Sequence, residues 1–277
     1  MPDTEAAASD SGSNKDSLSR IMLVALSVCL VCSIVVSTAA VALKPAQEAN
    51  KALDRKQNIL RAAGLLAADA SVGAGGESID ELFASFRQVA IDLETGQLIE
   101  GFDTAGYDPL KAAKDPGRSL DLTPEQDIAT IGRREDVGLA YLLEGADGTL
   151  DKVVIPVRGY GLWGTLYGFL ALEGDLNTIA GLGFYEQKET PGLGGEVDNP
   201  AWKALWPGVK LYDGSGKPSV ALVKGRSPEG SPAADYEVDA LSGATFTTKG
   251  VQNLVNFWTG ELAYGPYLKQ LSNNRRG

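Results

Sequence analysis

Two short stretches hold the residues best suited to chemistry. The first reads Asp239-Ala240-Leu241-Ser242-Gly243-Ala244-Thr245, a carboxylate followed by two hydroxyls among small residues. Its flanks read as a strand over 236–239 and a helix that begins near Thr247. A plain reading has the Ser and Thr hydroxyls capping that helix. A functional reading uses the same geometry: small residues let another chain approach Thr245, and a helix N-terminus favours a phosphate group beside it. The second stretch is Glu189-Thr190-Pro191-Gly192-Leu193-Gly194-Gly195. With so little side-chain bulk it is either a simple turn or a backbone that a ligand can approach closely.

A third stretch imitates a nucleotide site. Gly159-Tyr160-Gly161-Leu162-Trp163-Gly164 spells G-x-G-x-x-G after an apolar strand. Dinucleotide binding needs a helix to open at these glycines and an acid about 20 residues on. Residues 165–170 read as another strand, and position 179 is isoleucine. A tight strand connection with exposed aromatics is expected instead, with Trp163 able to lie against a flat ligand.

Composition removes much else. The chain has no histidine, which excludes histidine triads, histidine-ligated zinc or haem, and the usual neutral-pH base. Cys29 and Cys32 cannot build a disulfide framework or a four-cysteine cluster within one chain. Spaced i, i+3, they read as small apolar residues of a membrane helix rather than a metal or redox pair. A site completed by another subunit stays open. Redox chemistry would therefore come from a bound organic cofactor. With 25 basic against 36 acidic residues, the formal charge of −11 disfavours nucleic acid as a partner. The 277 residues, 44% hydrophobic and 22% charged, exclude whole-chain disorder and allow one large domain or two small ones.

The elements that must position these stretches follow from patterning. Residues 1–20 read as a disordered, polar head. Residues 21–43 carry no charge, and at ~1.5 Å per residue they reach about 34 Å, enough to cross a ~30 Å hydrocarbon core. Ala40-Val41-Ala42 resembles a signal-peptidase site, but the apolar run is longer than the ~7–15 residues of a signal peptide's apolar core. An uncleaved membrane anchor is expected. Valine precedes both cysteines, which argues against lipoprotein cleavage. Lys15 and Arg20 precede the span, and Lys44, Lys51, Arg55, Lys56 and Arg61 follow it. Charge counting alone would keep the large part in the cytoplasm, yet long domains translocate largely regardless of charge, so orientation stays open.

Beyond the anchor, a helical stalk is expected over 44–66. Ser78-Ile79-Asp80-Glu81 is a capping-box signature, with Leu82, Phe83, Phe86 and Val89 as a helical stripe behind it. Residues 140–143 and 150–157, joined by the Asp147-Gly148 turn, read as a hairpin. Further strands are expected over 165–172, 179–186, 219–224 and 236–239. Asn199-Pro200 opens a short helix bearing Trp202, Leu205 and Trp206. The helix near Thr247 places Val251, Leu254, Val255 and Trp258 on one face. Residues 101–128 read as a surface excursion. Strands and helices do not alternate strictly, so the class is α+β: a single N-terminal transmembrane helix, then a mixed α/β domain with a largely antiparallel sheet over 44–277.

Ser242-Gly243-Ala244-Thr245 behind Asp239 resembles the attachment motif of covalent-FMN proteins. Taken with the 189–195 loop, the Gly161-Leu162-Trp163-Gly164 stretch and the single anchor, the chain from 20 to 270 resembles the C-subunit family of sodium-translocating NADH:quinone oxidoreductases. The G-subunit of Rnf electron-transport complexes shares the motif but is usually shorter, and the extended 90–150 region here favours the former. Family members often carry a histidine shortly before the 189–195 loop, whereas this chain has Gln187 nearby.

The resemblance implies one covalent FMN per chain, joined by a flavin transferase through its phosphate to Thr245. Asp239, Ser242, Gly243 and Ala244 would form the recognition sequence. Glu189, Thr190, Gly192, Leu193, Gly194 and Trp163 would border the flavin. It implies a single-pass protein of the bacterial inner membrane with its domain on the periplasmic side, relaying electrons within a complex of several subunits. That complex oxidises NADH, reduces ubiquinone and exports sodium; the chain would be no self-contained NADH dehydrogenase. A cofactor-free, membrane-anchored binding module is the alternative.

Overall fold

The computed structural model describes residues 18–274. The chain divides into two compact units, one ending at Ala52 and one beginning at Leu53. Helix α1 (Leu18–Ala62) occupies the first unit and enters the second. It is long and apolar enough to cross a membrane, and its apolar part is exposed throughout. Residues 18–20, expected in the polar head, are already helical, and the rest of that head lies outside the described residues. The stalk expected to reach 66 ends at Ala62.

The second unit is built on a five-stranded antiparallel sheet. In chain order its elements are α2 (Ile79–Ala84), β1 (Phe86–Asp92), α3 (Pro109–Ala112), β2 (Ser119–Asp121), β3 (Arg133–Glu135), β4 (Val137–Glu144), β5 (Leu150–Tyr160), β6 (Thr165–Glu173) and β7 (Ile179–Glu186). There follow α4 (Pro200–Lys203), β8 (Ala221–Val223), β9 (Glu237–Asp239), α5 (Thr245–Trp258) and α6 (Gly265–Asn274). The large sheet has the order β1-β4-β5-β6-β7. Strands β2 and β3 form a small antiparallel pair, and β8 and β9 a parallel one.

Alternation along β5 explains the layers. Val153, Ile155 and Val157 point to one face, where Val251, Leu254, Val255 and Trp258 of α5 cover them. Val154 points to the other, beside Tyr141 and Phe169, where Ile59, Leu60, Ala62 and Ala63 pack. The sheet is thus buried on both faces. The expected hairpin is β4–β5, and at its turn Asp147 Oδ1 accepts the Thr149 amide at 3.0 Å.

Two expectations need correction. The capping box is present, with the Ser78 amide donating to Glu81 Oε2 at 2.8 Å, but its helix stops after six residues. Phe86 and Val89 belong to β1, paired with Leu143 and Ala140. Their i, i+3 spacing fits a helix, but pairing along β4 outweighs that local preference. The 101–128 excursion also contains structure: α3, capped by Asp108, and β2.

Candidate functional site

The opening of α5 is the centre of the site. Strand β9 delivers the chain to it, and the Asp239 carbonyl accepts the Trp202 indole N–H at 2.9 Å. The chain then reverses through Ser242 and Gly243, the latter at φ +71°, a conformation that glycine adopts without steric cost. Helix α5 begins at Thr245, two residues before the expected Thr247. Its N-cap is Ala244, and no side chain caps the first turn. The expected hydroxyl cap is replaced by a different bond: Thr248 Oγ1 accepts the Leu241 amide at 3.1 Å and closes the turn from inside. The first turn therefore presents uncapped N–H groups, the arrangement that attracts an anion.

Helical geometry sorts the three threonines. Thr247 is only 1% exposed, and its hydroxyl donates to Glu189 Oε2 at 2.5 Å. Thr248 is buried with its hydroxyl engaged by Leu241. Of the three, Thr245 alone is exposed. Lys249, four residues on, shares its side of the helix and is also exposed.

The G-x-G-x-x-G stretch is the end of β5 and the tip of the β5–β6 hairpin, closed by the Gly161 amide donating to Gly164 O at 2.9 Å. A strand follows it, as a plain connection requires. The tip is brought against α5 by missing side chains. A Cβ on Gly159 would lie 2.6 Å from Leu254 Cβ, and one on Gly250 would lie 2.3 Å from the Tyr160 carbonyl oxygen.

The 189–195 loop meets both. Glu189 is 6% exposed, and its Oε1 accepts the Leu162 and Trp163 amides, each at 3.0 Å. Leu193 Cδ2 is 3.0 Å from the point where a Cβ on Gly243 would stand. Gly194 is buried beside Thr247 Oγ1 and Glu189 Oε2, while Thr190 and Gly192 are exposed. Gln187 Oε1 accepts the Glu189 amide at 2.6 Å, and Gln187 Nε2 donates to Asp198 Oδ2 at 3.1 Å.

The structure thus gathers Ser242–Thr245, the 189–195 loop and Trp163 at one end of α5. Asp239 precedes this turn at the end of β9, its main-chain carbonyl engaged by Trp202. These segments and the first turn of α5 carry exposed large apolar side chains: Leu162, Leu193, Trp163 at 65% exposed and Phe246 at 70% exposed. Phe246 is absent from the residues singled out by sequence, although it stands out of phase with the buried stripe of α5, which is a readable signal. An uncapped helix start beside an exposed hydroxyl can take a phosphate, and flat apolar side chains around it can take a flat ring. These features fit FMN.

Residues 161–260 match the FMN-binding domain family, a span that takes in the hairpin tip, the loop and all of α5. The chain is 52% identical to the C-subunit of the Na(+)-translocating NADH-quinone reductase of Pseudomonas aeruginosa, over 93% of this chain and 97% of that protein. It is 46% identical to the same protein of Vibrio campbellii, over 94% of this chain and 97% of that one. The crystal structure of Shewanella oneidensis NqrC superimposes with a TM-score of 0.70 at 38% identity, covering 81% of this chain and 99% of that one.

Proposed function

The chain belongs to the C-subunit family of Na(+)-translocating NADH-quinone reductases, and on that premise we propose that it carries FMN as an electron relay, joined through phosphate to Thr245. The observation that carries the site assignment is the sorting of the threonines: Thr245 is exposed at an uncapped helix start, while the hydroxyls of Thr247 and Thr248 are buried and bonded.

In this reading the first-turn N–H groups of α5 and the positive end of its dipole hold the phosphate, with Lys249 on the same side. Ser242, Gly243 and Ala244 keep the turn slim enough for a flavin transferase to reach the Thr245 hydroxyl. Leu193 and Trp163 would border the ring, with Thr190 and Gly192 at the loop's exposed edge and Phe246 exposed on the first turn of α5. Gly194 brings the loop against Thr247. Asp239 sets the strand end from which the turn departs. When bound, FMN supplies the electron carriage, and attachment through phosphate leaves its ring chemically free. The protein supplies binding, orientation and a surface that other subunits of the membrane complex can approach.

The apolar segment over 21–43 would anchor the chain in the inner membrane, with the domain from 44 onward on the periplasmic side and the polar head in the cytoplasm. The support is the apolar helix and the family's assembly in a sodium-translocating enzyme.

The test is intact-mass analysis and peptide mapping of the full-length chain co-expressed with a flavin transferase. The parent should gain one FMN phosphoester on Thr245, and Thr245→Ala should lose all in-gel flavin fluorescence while still folding. Flavin mapped to Thr247 would overturn the assignment.

A further inference from the structure

We infer that Glu189 is a positioning residue: its buried carboxylate clamps the β5–β6 hairpin to the first turn of α5, and so fixes Trp163 relative to Thr245. The inference rests on the reading that Thr245 carries the flavin. It assigns Glu189 a role through its neighbours rather than against the cofactor.

Both oxygens of the carboxylate are committed. Oε1 takes the amides of Leu162 and Trp163, and Oε2 takes the hydroxyl of Thr247. The donors lie 27, 26 and 58 residues away, in two separate segments of the chain. With donors from two other segments meeting its two oxygens, this one side chain ties three segments together. At 6% exposure it offers a ligand almost no surface. Its oxygens are met by two N–H groups and one O–H, the last from Thr247 in the first turn of α5.

The surrounding glycines make room for it. A Cβ on Gly161 would lie 2.6 Å from Oε1, and one on Gly194 would lie 2.6 Å from Oε2. A side chain at either position would push the carboxylate off its donors. The consequence falls on Trp163, whose backbone amide is held while its indole stands exposed. Without the clamp, the Leu162 and Trp163 amides lose their acceptor, and beyond Tyr160 the hairpin tip is closed by the bond from Gly161 to Gly164.

The test uses the full-length, FMN-loaded chain and reads flavin fluorescence, which a nearby indole quenches. Trp163→Ala should raise the fluorescence, and Glu189→Ala should raise it to the same level. The double variant should go no higher, the non-additivity expected of residues acting through one contact. Glu189→Gln should keep the parent signal, because an amide oxygen can accept the same two N–H groups and its NH2 can donate to Thr247 Oγ1. Thr247→Val, which deletes one arm of the clamp, should shift the signal in the same direction and serves where Glu189→Ala does not accumulate.

The inference is overturned if Glu189→Ala or Thr247→Val keeps the parent signal, or if Trp163→Ala changes nothing. It is also overturned if Glu189→Gln shifts the signal as far as Glu189→Ala, since charge rather than geometry would then be at work. Failure of the underlying reading shows separately, as flavin absent from Thr245 in the peptide map.

Discussion

Gly250→Ala sets two ordinary effects against each other. Gly250 lies inside α5, where replacing glycine by alanine gains about 1 kcal/mol of helix propensity. Here the new methyl would stand 2.3 Å from the Tyr160 carbonyl oxygen and 3.1 Å from Gly161 Cα. Both are backbone atoms and cannot rotate away. Tyr160 is held by pairing with Thr165 and by its amide, which donates to Ala129 O at 2.9 Å. Overpacking of this kind costs about 1–3 kcal/mol, and rigid backbone on the far side puts it toward the upper end. The net is a loss of about 1–2 kcal/mol, with the clash outweighing propensity. At roughly 2–4 °C per kcal/mol for a domain of this size, the melting temperature should fall by about 2–8 °C. Thermal unfolding of the full-length chain in detergent, followed by far-UV circular dichroism, measures it. A variant that melts above the parent would refute the reasoning, because propensity would then have won and the hairpin could not be pressed on α5 as described.

Other perturbations test other parts of the molecule. Glu135, 1% exposed, accepts from both terminal nitrogens of Arg158, at 2.9 and 2.6 Å. Glu135→Ala should strand that guanidinium and cost about 3–5 kcal/mol in urea unfolding, and a loss near zero would contradict it. Hydrogen bonds from Ser215, Lys217 and Ser219 hold the Asp213 carboxyl down at about 2. A depressed carboxyl contributes stability above its ordinary value of 3.8 and loses it as pH falls toward 2. Asp213→Asn should therefore flatten the acid limb of a stability–pH profile between those values, and an unchanged limb would exclude the contribution. The FMN-loaded chain should bleach with dithionite but not with NADH, since its G-x-G-x-x-G closes a hairpin rather than opening a helix. Rapid, saturable bleaching by NADH would rule out a simple relay.

What is legible in the sequence is legible for local reasons. Asp147-Gly148 between apolar runs marks the β4–β5 hairpin, and the strands from β5 to β7, buried on both faces, read singly as short apolar runs. Asn199-Pro200 marks the start of α4. The start of α5 reads two residues late because no polar residue caps it; Ala244 gives no such signal. Phe86 and Val89 read as helical because their spacing suits a helix, and only the register with β4 decides against it. At the site, composition shows which segments are slim enough to approach a ligand. That Gly161 and Gly194 are slim because a carboxylate fills their space is not readable, since Glu189 meets partners far along the chain. The parallel pairing of β8 with β9 is hidden for the same reason.

The end of α1 bears on where this protein could be cut. Ile59, Leu60 and Ala62, with Ala63 just beyond the helix, are as buried as any residues of the sheet they cover, although the helix begins in the apolar segment. A fragment starting at Leu53 keeps that cover. One starting at Ala67 would bare Tyr141, Val154, Phe169 and Ala171 to water and invite aggregation. The edge of the anchor is therefore not the edge of the fold. Scission at Ala40-Val41-Ala42 would release a domain that still holds together, whereas scission in the 67–77 loop would leave it attached only by its packing on a severed helix.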